Sequence, residues 1–145
     1  MRQINTEEIT DTVENICIDA NYNLGEDLIA SLQNALNKEE SHLGKEVIAQ
    51  ILENAEIGKN EQVPVCQDTG FAVVFVEIGQ EVMFVGGDLQ EAVNEGVRRG
   101  YKKGLLRKSI VKSPLERINT GDNTPAVIHS DIVPGDKLKI TFDAK

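Results

Sequence analysis

Apolar residues recur at helical spacing over the first sixty positions and crowd into short continuous runs after them. Ile9, Val13, Ile16, Cys17 and Ala20 fall on one face of a helix, behind Asn5 and Glu8, which fit a capping-box-like start. A second helix is expected over 26–37, with Leu28, Ile29, Leu32, Ala35 and Leu36 turned inward. A third starts near Ser41 and carries Leu43, Val47, Ile48, Ile51, Leu52 and Ala55, with Gly58 as its expected stop. After Pro64 the pattern shifts. Residues 70–78 are rich in Val and Phe and read as a buried strand, and Gly79-Gln80 turns the chain into a second strand over 81–85. Gly86-Gly87 breaks that strand. Asp88 then caps a helix over 89–103 that packs Leu89, Ala92, Val93 and Val97 and ends at Gly104. Residues 105–124 show no periodicity, which is unusual in a compact domain unless the segment has a task. Two more strands are expected over 126–129 and 137–142, joined through Pro134-Gly135-Asp136. The fold class is therefore α/β in the α+β sense. About three helices over 1–60 precede a mixed sheet with a crossing helix over 61–145, all within one domain, 1–145.

Composition narrows the possibilities. The 145 residues, 40% hydrophobic and 27% charged, can bury a real core. A net charge of -9 argues against nucleic acid as a partner, because phosphate binding is driven by Lys and Arg. No run is long and apolar enough to span a bilayer, and the N-terminus lacks a leader's apolar segment. No membrane partner is expected, and the cytoplasm is the default location. Two cysteines there should stay reduced, and they are too few for a self-contained zinc or cluster site of about four ligands.

The candidate chemistry lies in the run Val63-Pro64-Val65-Cys66-Gln67-Asp68-Thr69-Gly70-Phe71-Ala72-Val73. It sets a thiol, an amide and a carboxylate side by side in a turn framed by Pro64 and Gly70. Cys66 can be a nucleophile, a metal ligand or an inert thiol. His42 and His129 are the available imidazole partners, and neither spacing is informative. Asp68 can act as an acid or base, orient a neighbour, or bond nearby amides of its own turn. Cys17, on an apolar helix stripe, reads as a small buried hydrophobe. The stretch 98–108 is the dense positive patch of an acidic chain. Lys102 and Lys103 suit a helix C-terminus, whereas Arg107 lies beyond Gly104, where its planar fork can grip a carboxylate. The turn formers of 119–125 either wrap a ligand or satisfy their own backbone. Gly86-Gly87 is too short for a phosphate loop, and Asp88 would repel phosphate.

Several blocks together resemble the class I, iron-sulfur-dependent fumarate hydratases and their L-tartrate dehydratase relatives. They are Val63-Pro64-Val65-Cys66-Gln67-Asp68-Thr69-Gly70, Gly96-Val97-Arg98-Arg99-Gly100-Tyr101, Leu106-Arg107-Lys108-Ser109, Asn119-Thr120-Gly121-Asp122-Asn123-Thr124-Pro125-Ala126 and Ile132-Val133-Pro134-Gly135-Asp136, in that order. The resemblance implies a hydro-lyase that adds water to fumarate to give L-malate, or dehydrates tartrate to oxaloacetate. It implies a [4Fe-4S] cluster held by three cysteines, with one iron left open to a small dicarboxylate. On that resemblance Cys66 is the first cluster ligand. Gln67 and Asp68 are substrate-side residues, Asp68 assisting proton transfer or orienting its neighbours. Arg107 is the loop arginine that grips a substrate carboxylate, and His129 and the 119–124 turn belong to the scaffold. Two further cysteine ligands, the base and other cationic groups are expected outside this chain, in a C-terminal region or a beta subunit. The chain is thus expected to be the N-terminal half of an alpha subunit or alpha region, cut short at its C-terminus, inactive alone and oligomeric when complete. The alternatives are an L-tartrate dehydratase alpha subunit, a non-catalytic assembly module of the same fold, and a cysteine-dependent hydrolase.

Overall fold

A computed structural model describes residues 1–145. The chain forms β1 (Arg2–Asn5), α1 (Thr6–Tyr22), α2 (Glu26–Lys38), α3 (His42–Glu61), β2 (Ala72–Gly79), β3 (Val82–Val85), α4 (Leu89–Lys103), β4 (Val127–Val133) and β5 (Leu138–Ala144). The α+β class and the order of helices, strands and crossing helix follow the sequence pattern. Asn5 caps α1 by accepting the Glu7 amide at 2.9 Å, in place of a reciprocal box with Glu8. Asp88 caps α4 by accepting the Glu91 amide at 2.9 Å.

The core forms where α1 and α4 lie together over β2. Val13 and Cys17 from α1 meet Val93, Val97 and Tyr101 from α4, above Ala72, Val74 and Val76. The helices approach closely because α4 carries glycine at the crossing. A Cβ on Gly96 would sit 2.6 Å from the Val13 Cβ, and one on Gly100 would sit 2.9 Å from the Cys17 sulfur. The Thr10 hydroxyl, donating to the Ala92 carbonyl at 3.0 Å, locks the register of the pair.

β2 is the centre of a mixed sheet ordered β4-β2-β5, parallel to β4 and antiparallel to β5. Val74 faces Ile128 on one side and Phe142 on the other. Both edges of β2 are therefore occupied, so β3, although it follows directly, pairs elsewhere. It lies parallel to β1, with Ile4 opposite Phe84.

Four details differ from the sequence reading. The sequence pattern places a helix start at Asn5 and no strand before it; β1 leaves no local trace because Ile4 is its sole buried residue and its partner lies far along the chain. Gly58 does not stop α3, which runs to Glu61 and ends with Gln62 in a left-handed conformation (φ 54°). Glycine is needed at 58 because Val65 Cγ1, Val63 O and Tyr22 O crowd the position of a Cβ, at 2.6 to 3.3 Å. Strand β4 begins close to the expected position but continues past His129 to Val133. Finally, α2 buries none of its residues, so Leu28, expected inward, is 46% exposed. Helices α2 and α3 pack on each other beside the core, and Leu43, Val47 and Ile51 face solvent.

Candidate functional site

Two irregular segments, one after α3 and one after α4, form the site. The first is anchored just ahead of its chemistry. The Val65 amide donates to Asn21 O at 3.0 Å, and Asn54 Nδ2 donates to Val65 O at 2.8 Å. From that fixed point Cys66, Gln67 and Asp68 project into solvent. The Asp68 amide points back at the Cys66 sulfur at 3.3 Å, a donor aimed at the atom that would carry a thiolate's charge. Thr69 and Gly70 then turn inward to start β2. Gly70 is obligatory there, with φ at +40° and the Lys145 carbonyl occupying the space of a Cβ.

The second segment begins where α4 ends. Leu105 takes a left-handed conformation (φ 52°), and the Leu106 amide closes onto Tyr101 O at 3.0 Å. This reversal presents Arg107 beside the first segment. Pro64, Cys66, Gln67, Thr69, Leu105 and Arg107 together line a cleft of about 320 Å³, the small end of the ligand-pocket range. Three of the four residues singled out from sequence thus share one cavity. Asp68 lies outside its lining and touches it through the backbone contact to Cys66. A larger groove of about 530 Å³ separates α2 from α3, and its walls hold no thiol, imidazole or guanidinium.

The basic patch divides by partner. Arg98 meets Glu95, Glu91 and Asp122; Arg99 meets Glu95, Glu7 and Asp11; Lys103 meets Glu14 at 2.9 Å. Arg107 has no carboxylate partner within the chain, so its charge is available to an anion in the cleft. Burial alone would raise the Asp122 carboxyl. The Thr124 amide and hydroxyl together with Arg98 outweigh it and hold the group at about 2.

The other sequence candidates lie elsewhere. Cys17 is fully buried against Gly100, and burial pushes its thiol up to about 12. His129 stacks on Phe75 with ring centroids 5.1 Å apart, and His42 lies exposed at the start of α3 beside Glu46. Neither imidazole lines the cleft, so no cysteine–histidine pair forms there.

Three residues of the site escaped the sequence reading in this role. Thr69 Oγ1 donates to the Arg107 carbonyl at 2.8 Å. The Tyr101 hydroxyl donates to Thr69 O and lies 3.3 Å from Gly70 O. Asn123 Nδ2 donates to Gly70 O at 3.0 Å, while its Oδ1 accepts the Ser109 and Ile110 amides at 2.7 and 3.1 Å. The available signals were Tyr101 one turn beyond Val97 on the apolar face of α4, and an asparagine within a cluster of turn formers.

Residues 10–145, almost the whole chain and the whole cleft, match the family described as fumarate hydratase (Fumerase). The chain belongs to the fumarate hydratase family. It is 35% identical over 129 residues to a Methanocaldococcus jannaschii protein provisionally named L(+)-tartrate dehydratase subunit alpha, covering 83% of this chain and 44% of that one. It is 38% identical over 109 residues to the anaerobic class I fumarate hydratase of Escherichia coli K12, covering 74% of this chain and 20% of the relative. Against fumarate hydratase 2 of Leishmania major it is 30% identical over 146 residues, covering 99% of this chain and 26% of the relative. The chain therefore spans less than half the length of these curated relatives.

As a fumarate hydratase family member, the chain can be tested for its fit to a [4Fe-4S] cluster. No group of three His, Cys, Asp or Glu side chains on it is placed to hold a metal ion. Cys66 is the exposed thiol, and the amide aimed at its sulfur suits a ligating thiolate. The donor set fits one corner of a cluster and not a complete cage.

Proposed function

We propose that this chain contributes one cluster thiolate, Cys66, and one carboxylate-binding cation, Arg107, to an iron-sulfur hydro-lyase that reversibly hydrates fumarate to L-malate. The observation that carries the proposal is the shared cleft, where an exposed thiol faces a guanidinium with no internal counter-charge. Arg107 binds one carboxylate of a small dicarboxylate through its two-pronged fork. Gln67, on the same wall, donates its amide to a substrate oxygen. Asp68 assists proton transfer or orients Gln67 and Cys66 from the cleft edge. A bound cluster supplies a Lewis acid toward the substrate's oxygen ligands. The remaining thiolates, the base and further cations come from a C-terminal region or a beta subunit, so the chain alone is inactive and works within an oligomer. Its free thiols suit a reducing cytoplasm. No helix is long and apolar enough to cross a membrane.

L-tartrate dehydration is the second reading, favoured by the higher coverage of the M. jannaschii alpha-subunit relative. The two readings part on substrate, measured as kcat/KM for fumarate against L-tartrate in the completed enzyme. There, Cys66→Ser should lower iron and sulfide content together with turnover. Arg107→Ala should raise KM for the dicarboxylate. Unchanged iron content in Cys66→Ser would refute the ligand assignment, and an unchanged KM in Arg107→Ala would refute the clamp.

A further inference from the structure

We propose that Thr69, Tyr101 and Asn123 form a positioning clamp that holds the Cys66 turn and the Arg107 loop to one another, so that thiol and guanidinium keep one separation. The coupling is read from geometry alone; its catalytic meaning rests on the roles given above to Cys66 and Arg107.

The clamp joins three parts of the chain. Thr69 belongs to the Cys66 turn, Tyr101 to the last turns of α4, and Asn123 to the far end of the loop that carries Arg107. All three are buried, at 2%, 1% and 0% exposure. Their polar atoms meet main chain at the functional residues or beside them. Thr69 holds the carbonyl of Arg107 itself. Tyr101 and Asn123 converge on the Thr69 and Gly70 carbonyls, so that each of these buried acceptors has a donor. Asn123 works from both ends of one amide. Its nitrogen holds the Cys66 side, and its oxygen holds the Ser109 and Ile110 amides just past Arg107. It does so with φ at 63°, a conformation asparagine adopts more readily than other side-chain-bearing residues. The exposed part of the Cys66 turn makes only one local bond of its own, the Asp68 amide to sulfur. The Val65 anchors hold one end of the turn to α1 and α3, and the clamp holds its other end to the Arg107 loop. Because these bonds are buried, breaking any one of them leaves a carbonyl or amide without water to replace it, which favours a single arrangement of the network.

The test reads each side while cutting the other. A nitroxide attached to Cys66 in the full chain reports motion of the turn. Amide hydrogen exchange over 106–110 reports the loop. Asn123→Asp keeps the acceptor for Ser109 and Ile110 and removes the donor to Gly70, so the nitroxide spectrum should narrow. Thr69→Val should speed exchange over 106–110 about fivefold, the worth of one net hydrogen bond, while Thr69→Ser stays within about twofold of the parent. Tyr101→Phe, which removes only a hydroxyl, gives a second cut should Asn123→Asp not fold. If these variants melt earlier but leave nitroxide and exchange unchanged in the folded chain, the residues are structural and the proposal fails. In the completed enzyme, Thr69→Val should raise KM for fumarate more than it lowers kcat, and Thr69→Ser should restore both. If nitroxide and exchange respond while KM and iron content do not, the clamp stands and the roles assigned to Cys66 and Arg107 fall.

Discussion

In the seam between α1 and α4, Cys17 presses on Gly100 and Arg99 is tied to Glu7, Asp11 and Glu95. In the cleft, Cys66 is open to solvent and Arg107 has no carboxylate beside it. Thiol and guanidinium occur in both regions. What separates them is partners: the seam closes each group against another, and the cleft leaves the reactive groups open while binding the backbone beneath them through Thr69, Tyr101 and Asn123. Availability to a ligand here follows from what each side chain lacks rather than from what it is.

The widest gap between the regions should appear in thiol chemistry. With its thiol pushed up to about 12, Cys17 carries roughly one thiolate in ten thousand at pH 8, and burial shields even that fraction. Iodoacetamide should therefore modify one thiol per folded chain, at Cys66, with Cys17 reacting only after denaturant is added. Peptide mapping after timed alkylation checks this. Equal rates at the two sites would erase the distinction.

Packing should show the next largest effect. Gly96→Ala places a methyl group 2.6 Å from Val13 Cβ and 2.7 Å from Thr10 O, where backbone must move. The helix-propensity gain of alanine offsets part of the strain, leaving a loss of about 2 kcal/mol in urea unfolding. Gln67→Ala, on the exposed wall of the cleft, should change stability by less than about 0.5 kcal/mol. If Gly96→Ala is neutral, the seam is looser than this comparison requires.

The same contrast explains which parts of the molecule could be read from sequence. Helix starts at Asn5 and Asp88, and the end of α4 at Gly104, depend on residues a few positions away, so local pattern finds them. β1 depends on Ile4 meeting Phe84, and Gly58 on Val63 and Val65 folding back across α3. Neither requirement leaves a periodic trace. At the site, Cys66 and Arg107 could each be suspected alone, but what brought them together before any coordinates was resemblance, not spacing. The clamp residues were illegible because a buried tyrosine hydroxyl or asparagine amide acquires its role from carbonyls that only the fold delivers.

Electrostatics offers a smaller and pH-dependent test. Asp122, with 30% of its side chain exposed, ties Arg98 of α4 to the loop that ends in the clamp. Its folded pKa of about 2 lies below the ordinary 3.8, so its ionised form stabilises the fold at neutral pH. That contribution is complete above about 4 and is lost as pH falls toward about 2. Discounted for solvent screening, Asp122→Asn should cost on the order of 1 kcal/mol at pH 7. The gap between parent and variant urea midpoints should close between pH 4 and pH 2. A gap that persists at the acid end would mean that Asp122 acts by shape rather than by charge.

The smallest expected effect has the opposite sign. Leu105 is 83% exposed and left-handed, at the position after a helix end where glycine is the common choice. A leucine there carries roughly 1 kcal/mol of backbone strain and gains almost no burial in return. Leu105→Gly relieves the strain but adds chain entropy to the unfolded state, so the net gain should be about 0.5 kcal/mol. The same change strips one apolar wall from the cleft that holds Cys66 and Arg107. In the completed enzyme, the stabilised variant should show a higher KM for the dicarboxylate. Strain kept at an exposed residue of the cleft would then serve binding, as the close packing at Gly96 serves stability. A variant that is more stable with KM unchanged would assign Leu105 to neither use.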